Sequence, residues 1–477
     1  MTQLVVAPAQ QTVREKHGWR WVAFSAALAA MVIDRLDATI VNVAAPSIQA
    51  SLGGSFADLQ WTAAAYTLAM AVTLLVGGRL GDMFGRKRIL LLGVAGFTAA
   101  SVLCALSVNQ AMLIGFRAVQ GVFAAVMLPQ VFGLVRDIFP PSHQRKAWVV
   151  LGPVIGLATV AGPIVGGALI SLNLFGMGWR TIFLINLPIG VVVLLIGAWL
   201  IPRTAPPIES KRLDLLGILL AGTGMFLLVR PLVQGSTPTD RLMLLGAIPI
   251  LFLFAWYQIK RSQSGRPSLI EPGPFRRRSF LSGIVFALSF LMALGGFVLT
   301  FSVFVQLGLS YSPLRASIAT LPWAGGAFLG STISAALVFR MGRNVIHLGL
   351  GLMGGGLLWL TAVIAPGATA WDFALPLLVG GTGMGMVFVP MFDIILGGLG
   401  NHEMGSGSAV LKAVQQLGLA LGVAVIGSVF FGLLGAPADY VAAARWTSLV
   451  AACMIAIAFM LGYWLPKPSE TKGEIHE

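Results

Sequence analysis

The sequence predicts an all-α integral membrane protein of fourteen transmembrane helices, arranged as two six-helix bundles with two extra helices between them. Three observations carry this. Of 477 residues, 57% are hydrophobic and only 10% charged, whereas a soluble domain carries roughly 25% charged residues, so lipid rather than water must cover the surface. Runs of about 20 apolar residues, long enough to cross a bilayer as a helix, recur fourteen times. Basic residues fall almost entirely on alternate connections between those runs.

In order, the runs lie at 21–45, 58–78, 89–108, 111–135, 147–170 and 181–201, then at 213–233 and 242–259. The last six are 280–306, 314–339, 345–365, 372–398, 407–432 and 442–465. The basic, Pro- and Gly-bearing connector KRSQSGRPSLIEPGPFRRR (260–278) reads as a linker between halves. The division is a tail at 1–20, a first bundle at 21–201, two extra helices within 202–262, a linker at 263–279, a second bundle at 280–465 and a tail at 466–477. The 58 glycines suit close helix approach in lipid, where packing replaces the hydrophobic effect.

With the N-terminus inside, 23 Lys and Arg lie on cytoplasmic segments and five on external loops: Arg180, Arg230, Arg241, Arg315 and Arg445. That asymmetry places both termini in the cytoplasm of a multi-pass protein of the cell membrane. The first apolar run continues into a full span instead of ending at a cleavage site.

The net charge of +14 follows from those loops, and no basic-aromatic module points to nucleic acid. Cys104 and Cys453 lie in different halves with no ligand-like spacing, and five scattered histidines make no metal site. No Gly-rich Lys-Ser/Thr loop offers an ATP site. A membrane-embedded enzyme or sensor would need a clustered catalytic set or a signalling domain, and neither is written here.

The most particular stretch is GGRLGDMFGRKRIL, Gly77 to Leu90, between the second and third spans. Gly78, Gly81 and Gly85 permit a tight turn between nearly touching helices. Asp82 sits at a helix end, where arginines such as Arg86 can neutralise it. GRLGDMFGRKR resembles the signature loop of the major facilitator superfamily, with Met83 in place of a frequent arginine. LIGFRAVQGVFAA (113–125) is similar to the family's second motif, with Arg117 and Gly121 at the matching positions. GPVIGLATVAGPIVGGAL (152–169) resembles the antiporter motif, here Gly162, Pro163, Gly166 and Gly167. LDATIVNVAAP (36–46), WRTIFLINLPIG (179–190) and LDLLGILL (213–220) resemble patterns of the fourteen-helix drug:proton antiporters. In SGSAVLKAVQQLG (406–418), Lys412 and Gln415 stand where the family's Asn and Arg are expected.

The resemblance implies a monomeric, proton-coupled exporter of amphipathic organic compounds, cations among them, with the proton as coupling ion and no other cofactor. The signature loop would act as a conformational switch, and the antiporter motif would seal the external side. A specific metabolite transporter on the same fold is the alternative.

A charge at the bilayer centre costs on the order of 3 kcal/mol, so each one within a span calls for a reason. The first span carries Asp34, Arg35 and Asp37. The two acids share a helix face, while Arg35 points about 100° away. Asp37 matches the family's first-helix acid. Helical rise puts it at a depth similar to Arg117 in the fourth span, and this fold places the two helices around one cavity. Asp34, Asp37 and Arg117 are therefore the expected proton-handling centre, or else a structural ion network. Asp393 and Lys412 lie at similar heights in the twelfth and thirteenth spans and form a candidate second-half charge pair.

Overall fold

The computed structural model describes residues 18–202, 213–234, 237–266, 268–400, 403–434 and 439–465. Helix α1 is Gly18–Leu52, with its three charges near the middle. Thirteen further helices are long and apolar enough to cross a membrane. They are α2 Phe56–Phe84, α3 Arg86–Ala105, α4 Gln110–Ile138, α5 Pro141–Leu172, α6 Gly178–Leu200, α7 Leu215–Gln234 and α8 Pro238–Gln263. After the linker come α9 Arg278–Gly308, α10 Pro313–Val338, α11 Asn344–Val363, α12 Ala370–Leu396, α13 Met404–Gly432 and α14 Tyr440–Gly462. Each of the fourteen expected spans falls on one of them. Residues 1–17, 203–212 and 466–477 of the expected tails and connections lie outside the described residues.

We call the end where α1 begins the near face and the opposite end the far face. Helices α2, α4, α8, α10 and α14 start at the far face on Ser55, Asn109, Thr237, Ser312 and Asp439, whose side chains accept hydrogen bonds from first-turn amides. These caps satisfy amides that a helix cannot bond internally, so turns of a few residues can reverse the chain.

The two sets of six helices pair in the same pattern. In the first, α4 packs on α2 and α3, α1 packs on α5 and α6, and α3 packs on α6. In the second, α12 packs on α10 and α11, α9 packs on α13 and α14, and α11 packs on α14. Contacts between the sets are reciprocal as well: α2 meets α13, α5 meets α10, and α1 meets α9.

Helix α1 runs on through Pro46 to Leu52, beyond the expected end at 45. Proline lacks the N–H that would bond the carbonyl four residues back, which here is Asn42. Ser302 Oγ on α9 donates to that oxygen at 3.0 Å, and Gln306 Nε2 donates to the next one, Val43 O, at 3.0 Å. A neighbouring helix thus supplies the donors that let the helix pass its proline.

The antiporter-motif residues sit where α5 is squeezed between α1 and α10. A side chain on Gly162 would meet Thr39, and one on Gly166 would meet Ile40, both on α1. A Cβ on Gly167 would lie 2.5 Å from Ser317 Oγ and 2.7 Å from Pro313 O on α10. Ser317 Oγ donates to Pro163 O at 2.6 Å. The bare backbone of α5 is what the two neighbours need.

The extra hairpin covers the seam between the sets, since α7 touches both α2 and α13. Ser428 Oγ on α13 donates to Leu232 O on α7. At the near face buried Asp214 accepts from Tyr257 Oη at 3.0 Å and Gln258 Nε2 at 2.7 Å, with Arg261 at 3.6 Å. Gln258 Oε1 in turn accepts from Leu269 N at 2.8 Å, which fastens the linker to the hairpin.

This packing makes Gly167→Ala destabilising by about 1–3 kcal/mol through forced overpacking. Gly156→Ala on the same helix, with nothing within 4 Å of the added atom, is neutral or slightly stabilising. Thermal unfolding of the two purified variants beside the parent protein checks the contrast.

Candidate functional site

Asp37 and Arg117, 1% exposed each, form an ion pair through Arg117 Nη1 and Asp37 Oδ2. The same Nη1 donates to Gln120 Oε1 at 2.8 Å, and Nε donates to Thr62 O at 3.3 Å. On its other oxygen Asp37 accepts from Gln120 Nε2 at 2.9 Å and Asn186 Nδ2 at 3.0 Å. Asn186 Nδ2 also donates to Ser101 Oγ at 2.9 Å, whose hydroxyl donates to Phe183 O at 2.9 Å. One network therefore ties α1, α2, α3, α4 and α6. A buried pair withstands the cost of desolvation only when its remaining hydrogen-bonding positions are filled, and here they largely are.

Tyr66 on α2 links this pair to the second acid. The guanidinium carbon of Arg117 lies 4.3 Å from the centroid of the Tyr66 ring, a cation–π contact. The Tyr66 hydroxyl donates to Asp34 Oδ1 at 2.5 Å. The approach requires Gly121, because a side chain there would run into the Tyr66 carbonyl. The two acids have separate cations: Arg35 Nε sits 3.1 Å from Asp34 Oδ2. Although Arg35 leaves the helix about 100° away, its long side chain bends back along α1 to reach that carboxylate.

The signature loop is held by Arg86. Its guanidinium contacts Asp82 at 3.2 Å, Asp137 at 3.0 Å and Gly133 O at 3.2 Å, closing the start of α3 against the ends of α2 and α4. Gly85, at φ +90°, makes the turn that a side chain would strain. Gly81 leaves room for the Gln130 amide, which bonds Gly77 O at 2.6 Å, while Gly78 lies beside Pro129. Lys87 Nζ donates to Ala198 O at 2.7 Å in the last turn of α6 and to Ile201 O at 2.6 Å just beyond it.

Asp393 and Lys412 do not meet. Asp393 is exposed on α12 and makes no ion pair with Lys412. Lys412 turns instead toward the rings of Phe392, 5.2 Å away, and Phe132 on α4, 6.0 Å away. Equal height fixed neither residue's direction around its helix, so the candidate pair is withdrawn.

Sequence reasoning missed Tyr66, Thr62, Gln120, Asn186 and Asp137. Gln120 and Asn186 had a usable signal, as uncharged polar residues inside FRAVQG and IFLINLP. Thr62 offers only a backbone carbonyl, which no side-chain pattern reveals.

Comparison with known proteins agrees with this arrangement. The sequence profile of the Major Facilitator Superfamily matches residues 27–423. A probable actinorhodin transporter of Streptomyces coelicolor is 42% identical over 428 residues, covering 88% of this chain and 74% of that protein. The puromycin resistance protein pur8 of Streptomyces alboniger is 34% identical over 465 residues, covering 94% and 89%. The inward open xylose transporter XylE from E. coli superposes with a TM-score of 0.66 over 96% of this chain and 99% of that one, at 13% identity. With the paired six-helix sets and the Asp37–Arg117 network already in place, these matches make the chain a member of the Major Facilitator Superfamily, a family of transporters.

Proposed function

We propose that this chain is a proton-coupled antiporter that exports amphipathic organic compounds across the cell membrane, with both termini in the cytoplasm. The observation that carries the reading is the buried Asp37–Arg117 pair, linked through Tyr66 to Asp34 and Arg35. A proton arriving on either acid cancels a charge that one of the two cations now balances. The cation must then find other partners, and such an exchange can be tied to movement of α1 against α4. The printed names of relatives favour export: a probable actinorhodin transporter, a puromycin resistance protein, and the tetracenomycin C resistance and export protein of Streptomyces glaucescens. The basic residues on near-face connections support a cytoplasmic near face.

The side-chain bonds between the two sets support alternating access. Ser302 to Asn42 O, Gln306 to Val43 O and Ser317 to Pro163 O all lie in the far-face half. In this reading the halves are latched at the external side, and the signature loop at the cytoplasmic side re-forms its contacts when they rock.

Two outcomes test the proposal. In liposomes with an imposed pH gradient, Asp37→Asn lowers gradient-driven dye export by more than about tenfold, roughly 1.4 kcal/mol, while dye binding stays within a few-fold of the parent. Unchanged export, or a parent protein indifferent to the gradient, reduces the acids to structural ions and favours a metabolite carrier or uniporter. Arg86→Ala, which frees Asp82 and Asp137 together, slows turnover several-fold without changing equilibrium dye binding, as stopped-flow efflux would record.

A further inference from the structure

Lys412 is an intramembrane cation that the proposed coupling centre leaves over. Asp34 is balanced by Arg35 and Asp37 by Arg117. Among the described residues no carboxylate lies within ion-pair distance of Lys412, and Asp393 on the adjacent helix is exposed and unpaired with it. From α13 Lys412 reaches toward α4 of the first half and α12 of the second, facing both halves.

Its surroundings are those of a ligand position more than of a structural lock. The ammonium is flanked by Phe392 of the second half at 5.2 Å and Phe132 of the first at 6.0 Å. Two phenyl rings temper a positive charge without neutralising it, and they offer faces on which a flat ring can stack. The Lys412 side chain is half-buried. Gln415, three residues on and thus on the same side of α13, is 4% exposed, and its Oε1 has no hydrogen-bond partner. A buried acceptor without a donor is costly and rare in native proteins, and a hydroxyl or N–H of a bound molecule would satisfy it.

We propose that Lys412 binds the acidic group, a carboxylate or ionised phenol, of a planar aromatic substrate seated between Phe132 and Phe392. The proposal rests on the exporter reading and narrows its substrate to aromatic anions, with Gln415 accepting from a donor on the same ring system. Binding of the anion supplies the counter-charge that the protein withholds, and it does so from residues of both halves.

The test uses three matched fluorescent probes, anthracene-9-carboxylate, neutral anthracene-9-methanol and cationic 9-(aminomethyl)anthracene, titrated into the full-length protein in lipid nanodiscs at neutral pH. The expected result is that the parent binds the carboxylate at least about tenfold tighter than the amine. Lys412→Met abolishes that preference while leaving methanol binding and thermal unfolding unchanged, and Lys412→Arg keeps it. Lys412→Gln replaces Lys412→Met if the latter does not fold. Equal or weaker binding of the carboxylate by the parent, no carboxylate binding at all, or a preference that survives removal of the charge would each overturn the proposal. Gradient-driven efflux of the neutral probe by the parent is measured separately. Absence of such efflux both for that probe and for whichever probe the parent binds most tightly would count against the exporter reading, whereas the anion preference stands or falls on the equilibrium titrations.

Discussion

A guanidinium and a carboxylate, both shut away from water, hold the first set of helices together. Neither Arg117 nor Asp37 could remain charged in that place alone, because an isolated buried ion costs several kcal/mol. Each is therefore committed to the other, and their remaining hydrogen-bonding positions recruit Gln120, Asn186, Thr62 and, through its ring, Tyr66. The glycines of α4 and α2 follow from the same demand, since only bare backbone allows the approach that brings those groups into reach. In a lipid-bounded bundle, where apolar side chains gain nothing by choosing one another over acyl chains, such a polar centre fixes which helices are neighbours.

The second set repeats the pairing of the first without repeating its charges. Glycine-rich contacts between α10 and α12 take the place that α2 and α4 occupy in the first set, yet no buried ion pair ties them among the described residues. The buried ion pair is thus, among the described residues, a feature of the first set. The extra hairpin lies outside both sets but is tied to each through α7, and through Gln258 it also holds the linker. Its position along the α2–α13 seam means that any rocking of the halves must slide past it or carry it along.

How much of this was legible in the sequence depended on the chemistry of each residue. Fourteen apolar runs were plain because lipid demands long uninterrupted ones. Asp34, Asp37 and Arg117 stood out because charges in such runs are rare. Tyr66 did not, since a tyrosine is tolerated in many settings and its partner is set by rotation about a helix axis. Asp393 and Lys412 show the same limit from the other side: height along the membrane can be counted in residues, whereas azimuth on a helix that is apolar all round cannot. The end of α1 was hidden for a different reason, which is Pro46. Its local rule is to end a helix, and the donors that overrule it come from Ser302 and Gln306, some 260 positions away.

Those two donors have a consequence for kinetics. Breaking an ion pair in lipid strands two full charges, but parting Ser302 and Gln306 from the carbonyls before Pro46 exposes only neutral groups, which a single file of entering water can bond almost as well. Opening of the far-face seam at these two bonds would therefore cost little once water reaches the freed groups. The proline in α1 contributes one of these acceptors outright, because Asn42 O has no amide four residues on to bond. Hydration of the carbonyls before Pro46 would then bear on the rate at which the halves separate, independently of how tightly either half grips its cargo.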